Sequence, residues 1–312
     1  MASTSGTSAF NLDFNEIVEE AYERAGLEVR TGYEFRTARR SFNMLTIEWA
    51  NRGINLWTIE QGQIVMNTGQ GVYALPNTTI DLLDQVIRTQ ASTLNQIDIN
   101  VSRISESTYS TLPNKLAQGR PIQVWVNRQS NQSYLSNATV ADTVLSTDTT
   151  ITLSSTVGLP ATGFITIDSE TIYYANVSGN QLLNCYRGQY NGSTNTTAAG
   201  HAIGATVTVN NLTSINVWPT PNAPGDQYTF VYWRMRRMQD AGNGVNVQDI
   251  PFRLIPCLVA GLAYYVGSKR SDIPPERIAM LKAIYEEQWM LASQEDRDKA
   301  PDRFVPRQMF YR

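Results

Sequence analysis

The first 53 residues carry two helical patterns of apolar positions. Apolar side chains recur every three or four residues over residues 14–25, and again over residues 35–49. Each stretch follows a capping-box pair and stops at a glycine. The sequence therefore predicts two amphipathic helices. Their capping pairs and stops are Asp13 with Glu16 before Gly26, and Thr31 with Glu34 before Gly53.

The helical spacing returns near the other end of the chain. Asp249 followed by Pro251 predicts a helix start, and the apolar positions continue through residues 254–266. Small residues, Gly261 among them, would let another helix approach closely. A last helix is predicted from Pro275 to about residue 292. We expect these helices to pack with the N-terminal pair, because neither apolar stripe has another helical partner.

Strand patterns fill the region between the helices. Residues 63–67 and 72–75 flank a glycine-rich turn and predict a hairpin, and residues 228–233 read as a further strand. Residues 139–209 differ in composition, being rich in Thr, Ser, Gly and Asn, and predict a small all-β unit inserted into the β domain. Within it, residues 163–174 alternate as one strand.

Together these patterns predict an α+β fold, in which a helical bundle is built from the N- and C-terminal helices, with a central β domain and an inserted small all-β domain. The predicted domains are residues 1–55 (N-terminal helices), 56–138 with 210–248 (β domain), 139–209 (inserted β domain), 249–296 (C-terminal helices) and 297–312 (extended tail).

Charge is nearly balanced, with 25 basic and 28 acidic residues among 312 and a formal net charge of −3. A tight nucleic-acid binder usually carries a basic excess, which is missing here. Arg36, Arg39 and Arg40 nevertheless cluster on the second predicted helix. Such a cluster is typical of a solvated or salt-bridged face, and contact with a neighbouring subunit or with DNA is the alternative.

The cysteines and the apolar runs indicate whether the chain forms disulfides, crosses a membrane or is secreted. Cys185 and Cys257 lie in different predicted modules, so we expect two buried thiols and neither a disulfide framework nor a metal site. The longest apolar run, residues 254–266, is shorter than the roughly 20 residues of a membrane span. The first ten residues lack a basic region and an apolar stretch, so we expect no secretory signal and no membrane contact.

Catalytic chemistry has few candidates. His201 is the only histidine, which removes His-based triads and multi-histidine metal sites, and its polar Gly and Ala context indicates a structural role. Asp168 and Glu170 alternate on a predicted strand, as a glycosidase pair would, but carboxylates two positions apart are common on surface strands. No phosphate-binding loop occurs in the sequence. We expect no catalytic residue, no cofactor and no metal.

Two phrases carry a family resemblance. They are residues 119–128, GRPIQVWVNR, and residues 215–221, INVWPTP. With them the chain resembles the head-to-tail adaptor, or tail tubular A, proteins of short-tailed phages. The insert departs from the simplest members and looks like a small β domain reused across phage virion proteins. Further matching residues are 71–76 (GVYALP), 80–83 (IDLL), Arg103, Ile104, Tyr109, Lys115, 251–263 and 281–297.

The resemblance implies a structural virion protein and not an enzyme. Members of the family form a dodecameric ring, whose helical bundle docks under the portal and whose β domain meets the tail nozzle. Genomic DNA passes through the central hole without specific binding. The implied partners are further copies of the chain, the portal, the nozzle and the tail fibres. The implied place is the neck of the virion, after assembly in the host cytoplasm.

The end of the chain supplies the candidate binding residues. After a polar stretch it closes in an aromatic and basic tail, which the resemblance places against the portal. The candidate portal-docking residues are Phe304, Arg307, Phe310, Tyr311 and Arg312. Two other functions remain open: a tail fibre or adhesin component that binds host glycans through the insert, and an enzyme of unidentified type.

Overall fold

The computed structural model describes residue 6 and residues 10–53, 56–91, 93–224, 227–242 and 245–296, and over these the fold is mixed α+β. The helices are α1 (Phe14–Ala25), α2 (Gly32–Arg52), α3 (Glu106–Ser110), α4 (Ile255–Gly267) and α5 (Pro275–Glu295), with 3-10 turns at Leu56–Thr58 and Phe252–Leu254.

The first eight strands are β1 (Ile59–Val65), β2 (Val72–Ala74), β3 (Thr79–Thr89), β4 (Ile97–Asn100), β5 (Ser102–Arg103), β6 (Gln118–Gly119), β7 (Gln123–Asn127) and β8 (Ser133–Thr139). The others are β9 (Thr150–Thr152), β10 (Gly163–Ile167), β11 (Glu170–Ser178), β12 (Gln181–Tyr186), β13 (Thr206–Asn210), β14 (Ser214–Trp218), β15 (Thr220–Pro221) and β16 (Thr229–Arg236). The chain divides into two compact units: Met1–Ile59 with Arg237–Arg312, and Glu60–Arg236.

Helix α4 forms the centre of the first unit. It contacts α1, α2 and α5, and its Leu258 and Leu262 are fully buried. A side chain at Gly261 would place its Cβ 2.9 Å from atoms of both Leu45 and Tyr285. Helices α2 and α5 therefore approach α4 through this glycine, as the small residues of the sequence predicted.

Both predicted N-terminal helices are confirmed, including their caps. The Asp13 carboxylate accepts from the Glu16 backbone N–H while the Glu16 side chain accepts from the Asp13 N–H, and Thr31 with Glu34 forms the same box. Each helix ends at a glycine with positive φ, a conformation that side chains other than glycine rarely adopt.

The predicted start of α4 at Asp249 is wrong. Pro251 is extended, a 3-10 turn follows, and α4 begins only at Ile255 with Pro256 in its first turn. Pro256 fits there because the first turn of a helix needs no N–H donor. The Asp249 carboxylate instead accepts from the backbone N–H of Gln239.

The second unit contains two four-stranded sheets around one apolar core. Their strand orders are β1-β16-β3-β4 and β2-β14-β7-β5. Met66, Phe230 and Ile215 are among the fully buried side chains that these sheets share. The hairpin predicted from residues 63–67 and 72–75 is wrong, because β1 pairs with β16 and β2 pairs with β14. The turn between them carries the chain from one sheet to the other.

The third large sheet has the order β8-β13-β10-β11-β12-β9 and lies within residues 133–210. Its own core includes Ile165, Tyr174 and Val207. Residues 163–174 were predicted as one strand, but they form β10 and β11, which pair antiparallel across a turn at residues 168 and 169. Asp168 has a φ of +53°, and Asp is among the residues that tolerate this conformation in tight turns.

A small apolar cluster joins the six-stranded sheet to its neighbour within the same unit. Phe164 and Tyr173 pack there with Ala74 and Leu212. The backbone N–H of Asn77 also donates to the Gly192 carbonyl at 2.7 Å. Residues 139–209 thus share buried surface with the strands on either side of them.

Candidate functional site

The five tail residues that the sequence offers as portal-docking residues lie outside the described residues. They are Phe304, Arg307, Phe310, Tyr311 and Arg312. Their role stays a prediction.

The arginine cluster of α2 lies on the side of the helix turned away from its core. The buried residues of α2 occupy one face. At about 3.6 residues per turn, Arg36 and Arg40 fall on the opposite face. Both are exposed, and Arg39 at the edge is half-buried. None of the three side chains makes a hydrogen bond or ion pair with a described residue, and the Nε of Arg39 is a buried donor without such a partner.

Large apolar side chains share this surface. Tyr33 is 65% exposed, Met44 58% and Ile47 47%. The helix's carboxylates lie to the side, where Glu34 caps the helix and Glu48 accepts from Tyr265 and Arg52. We call Tyr33, Arg36, Arg40, Met44 and Ile47 the outer face of α2.

A groove of about 360 Å³ borders the outer face and adds positive charge to it. Lys269 lines the groove and donates from Nζ to Ser41 Oγ at 2.7 Å. Burial, and after it the positive charge of Arg40, lowers the pKa of Lys269. The surface is therefore electropositive and lacks a counter-charge on the outer face itself.

Arg, Tyr and Met are the side chains that interface cores and binding hot spots favour. Unpaired guanidinium groups beside exposed apolar residues are suited to bind a partner with carboxylates or phosphates. The sequence pointed to the arginines but not to Tyr33, Met44 and Ile47. The sequence feature that could have identified them is that they are large apolar residues on the polar side of an amphipathic helix.

His201 is buried and lies in an ionic cluster within residues 139–209. Its Nδ1 is 2.8 Å from Asp168 Oδ2, and its Nε2 is 2.9 Å from Glu170 Oε2. The ring is 2% exposed. Each ring nitrogen thus lies within hydrogen-bond distance of one carboxylate oxygen. With both nitrogens engaged, His201 holds the turn between β10 and β11 to its own segment.

Arg187 completes the cluster. Its Nε and one terminal nitrogen donate to the two oxygens of Glu170 at 2.8 and 2.7 Å, and the guanidinium also donates to backbone carbonyls. Those carbonyls belong to Leu145, Asp148 and Ala199. We call Asp168, Glu170, Arg187 and His201 the ionic cluster.

The environment of Glu170 keeps it ionised. Burial alone would raise the pKa of this carboxyl, but hydrogen bonds from Arg187, from the Ala199 and Gly188 backbone N–H groups and from His201 outweigh burial and lower it. Both oxygens are occupied and the side chain is closed to solvent. Asp168 and Glu170 therefore stabilise the insert instead of presenting two free carboxyl groups to a substrate.

The two phrases of the family resemblance meet in one sheet. Strand β7 of the first pairs antiparallel with β14 of the second, with Val124 opposite Val217. The next residues pair as β6 and β15, with Gly119 opposite Pro221. Segments about 90 residues apart thus pair with each other in two sheets.

Further residues of the resemblance also converge. Tyr109 packs on Trp125 with ring centroids 5.2 Å apart, and Lys115 Nζ lies 5.6 Å from the Tyr109 centroid. Asp81 binds Arg103 at 2.8 Å and also pairs with Arg128. The two contacts of Asp81 connect β3 to β5 and to the residue that follows β7, so they link the two four-stranded sheets.

The described residues form neither a metal site nor a membrane-spanning helix. Across the described ranges, no group of three or more His, Cys, Asp or Glu is placed to hold a metal ion. Both cysteines are buried and free, as predicted, and burial raises the pKa of each thiol to about 12. Within the same part of the chain, no helix is both long and apolar enough to cross a membrane.

Comparison of the chain with protein-family models found no matching family, and comparison with curated proteins found no significant match.

Proposed function

We propose that the chain is a structural virion protein: a head-to-tail adaptor whose copies form a ring that joins a portal to a tail nozzle. The observation that carries the proposal is the outer face of α2, an unpaired, electropositive and partly apolar surface on the helical unit. Such a surface is suited to bind another protein.

The arrangement of the chain supports the proposal. Helices from both ends share one apolar core, while residues 60–236 form a separate β-rich unit. In the proposed adaptor these are a helical bundle under the portal and a central β domain with an inserted small β domain toward the nozzle. Copies joined head to tail by one repeated contact close into a ring when the rotation between them permits it, here into a dodecamer.

DNA passes through the proposed ring without being held. The balance of 25 basic and 28 acidic residues supports a conduit whose contacts with phosphate are weak and independent of sequence. Nozzle and tail fibres are the further proposed partners, and the neck of the virion is the proposed location.

Electron microscopy with purified portal rings tests the proposal. We expect the chain to add a second ring of matching symmetry to the portal of the phage that encodes it. A chain that stays monomeric beside the portal, or that instead binds glycans on an array, would contradict the adaptor function and favour the adhesin.

The tail is tested by co-sedimentation with portal rings. Phe310→Ala with Tyr311→Ala should abolish co-sedimentation with portal rings, because aromatic anchors carry much of the energy of an interface. Val305→Ala with Gln308→Ala is the matched control in the same segment. Equal binding by both variants would remove the tail from the proposed docking site.

A further inference from the structure

Helix α1 presents a carboxylate stripe to solvent. Its apolar residues, from Phe14 to Ala25, are buried on one face. The opposite face carries four glutamates at helical spacing. We call Glu16, Glu19, Glu20 and Glu23 the outer face of α1.

Two of these carboxylates have no counter-charge within the described chain. Glu16 is used by the N-terminal capping box, and Glu20 pairs with Arg24 at 2.7 Å. Glu19 and Glu23 are exposed, and their side chains form no hydrogen bond or ion pair with a described residue. The outer face of α1 therefore offers two free carboxylates one helical turn apart.

The spacing on α2 matches. Arg36 and Arg40 are also four residues apart, so each pair extends about 6 Å along its helix. Like charges at this spacing repel each other, and no described residue forms an ion pair with either pair. Apposition of the two pairs would relieve both repulsions at once.

We propose that the outer face of α2 in one copy binds the outer face of α1 in the next copy. The proposal rests on the ring function above and names its subunit contact. Arg36 and Arg40 pair with Glu19 and Glu23 across the contact. Each copy uses two different faces, so the contact is of the head-to-tail kind that generates rings.

The charges and the apolar residues favour a second copy as the occupant. A surface that follows DNA phosphates needs no exposed Met44 or Ile47, whereas a protein contact buries such side chains beside its charged pairs. The residues 303–312 of the chain's own tail carry positive charge and would repel Arg36 and Arg40.

Charge reversal on each side gives the test. Arg36→Glu with Arg40→Glu should prevent ring formation on portal rings, and so should Glu19→Arg with Glu23→Arg. In a contact between two copies of the same variant, like charges then face each other. In an equal mixture every contact between the two variants regains opposite charges, so alternating rings should form, which an even-numbered ring permits. By sedimentation velocity, each variant alone should need at least about tenfold more protein for half-assembly.

The control is Lys282→Glu with Arg253→Glu. Both residues are exposed, have no pairing with a described residue, and lie on neither outer face. This variant has the same change in charge as Arg36→Glu with Arg40→Glu, and it should assemble like the wild type. Equal denaturant midpoints for all variants would establish that the fold is intact.

Each result separates the contact from the ring function. If the wild type forms rings and neither charge-reversed variant shows a defect, the proposed contact is wrong. The adaptor function would remain supported. Failure of the mixture to assemble, or loss of DNA retention alone in Arg36→Glu with Arg40→Glu, would also overturn the contact. A free chain that self-associates through the two faces but ignores the portal would uphold the contact and refute the adaptor.

Discussion

Arginine occurs in two opposite settings in this molecule. In the insert, the Arg187 side chain is 8% exposed and its donors reach a carboxylate and three backbone carbonyls. On α2, Arg36 and Arg40 are exposed and have no hydrogen bond or ion pair with a described residue. The Arg187 guanidinium has its partners within the chain. The guanidinium groups of Arg36 and Arg40 present their donors to a partner outside it.

The difference separates charge that stabilises a fold from charge that is available to a partner. Removing one member of a buried ion pair costs about 3–5 kcal/mol, because the other charge stays buried without compensation. An exposed pair contributes only about 0–1 kcal/mol. Mutation should therefore affect folding at the ionic cluster and association at the outer face of α2.

Arg187→Met should have the largest effect on stability. It leaves the Glu170 carboxylate buried beside an apolar side chain, and we expect a loss of about 3–5 kcal/mol in the free energy of unfolding. Denaturant unfolding measures the loss, and hydrogen exchange of peptides from residues 163–210 locates it.

The matched variant is Arg187→Met with Glu170→Leu. It removes both charges, so it should be more stable than Arg187→Met alone. If the single substitution cost less than about 1 kcal/mol, as exposed pairs do, the distinction between the two kinds of arginine would fail.

His201→Leu should have the next largest effect. The substitution removes two hydrogen bonds to Asp168 and Glu170 while Arg187 still pairs with Glu170, so we expect a loss of about 1–3 kcal/mol. The same unfolding measurement applies, with His201→Gln as a polar control of similar size. Equal stability of His201→Leu and wild type would show that the ring only fills space.

The ionic cluster illustrates what a sequence conceals. Asp168 and Glu170 were predicted on one continuous strand, yet Asp168 lies in the turn between β10 and β11, Glu170 begins β11, and both contact one imidazole. Arg187 and His201 come from later segments of the chain, and long-range pairing brings them together. No local sequence pattern predicts that these residues come into contact. A charged residue within an apolar strand run is nevertheless a sign of a buried pair.

Local features were more accessible to prediction. The capping boxes at Asp13 and Thr31 depend on contacts within one turn, so the sequence places both helix starts correctly. The hairpin of residues 63–75 failed because the partners of β1 and β2 are β16 and β14, which come much later in the chain. Strand partners depend on tertiary packing, which turn residues alone do not specify.

Acid should weaken the ionic cluster but not the outer face of α2. The pKa of Glu170 is lowered in the folded chain, so its ionised form contributes stability that is fully present above the unfolded value of about 4.3. That contribution is lost as pH falls through the folded pKa. Below about pH 4 the free energy of unfolding should therefore fall more steeply in the wild type than in Glu170→Gln, which has no carboxylate to protonate.

The pH dependence is measured by denaturant unfolding at a series of pH values. Arg36→Ala with Arg40→Ala should follow the wild-type profile, because arginine stays charged throughout this range. Parallel profiles for wild type and Glu170→Gln would mean that the carboxylate of Glu170 does not support the fold.

Arg36→Ala with Arg40→Ala should have the smallest effect on the isolated chain. Both side chains are exposed, and alanine favours helix, so the free energy of unfolding should stay within about 0.5 kcal/mol of wild type. Relief of the repulsion between the two guanidinium groups acts in the same direction as the helix propensity. A loss above about 1 kcal/mol would show that the two arginines stabilise the fold. The contrast between the outer face of α2 and the ionic cluster would then be wrong.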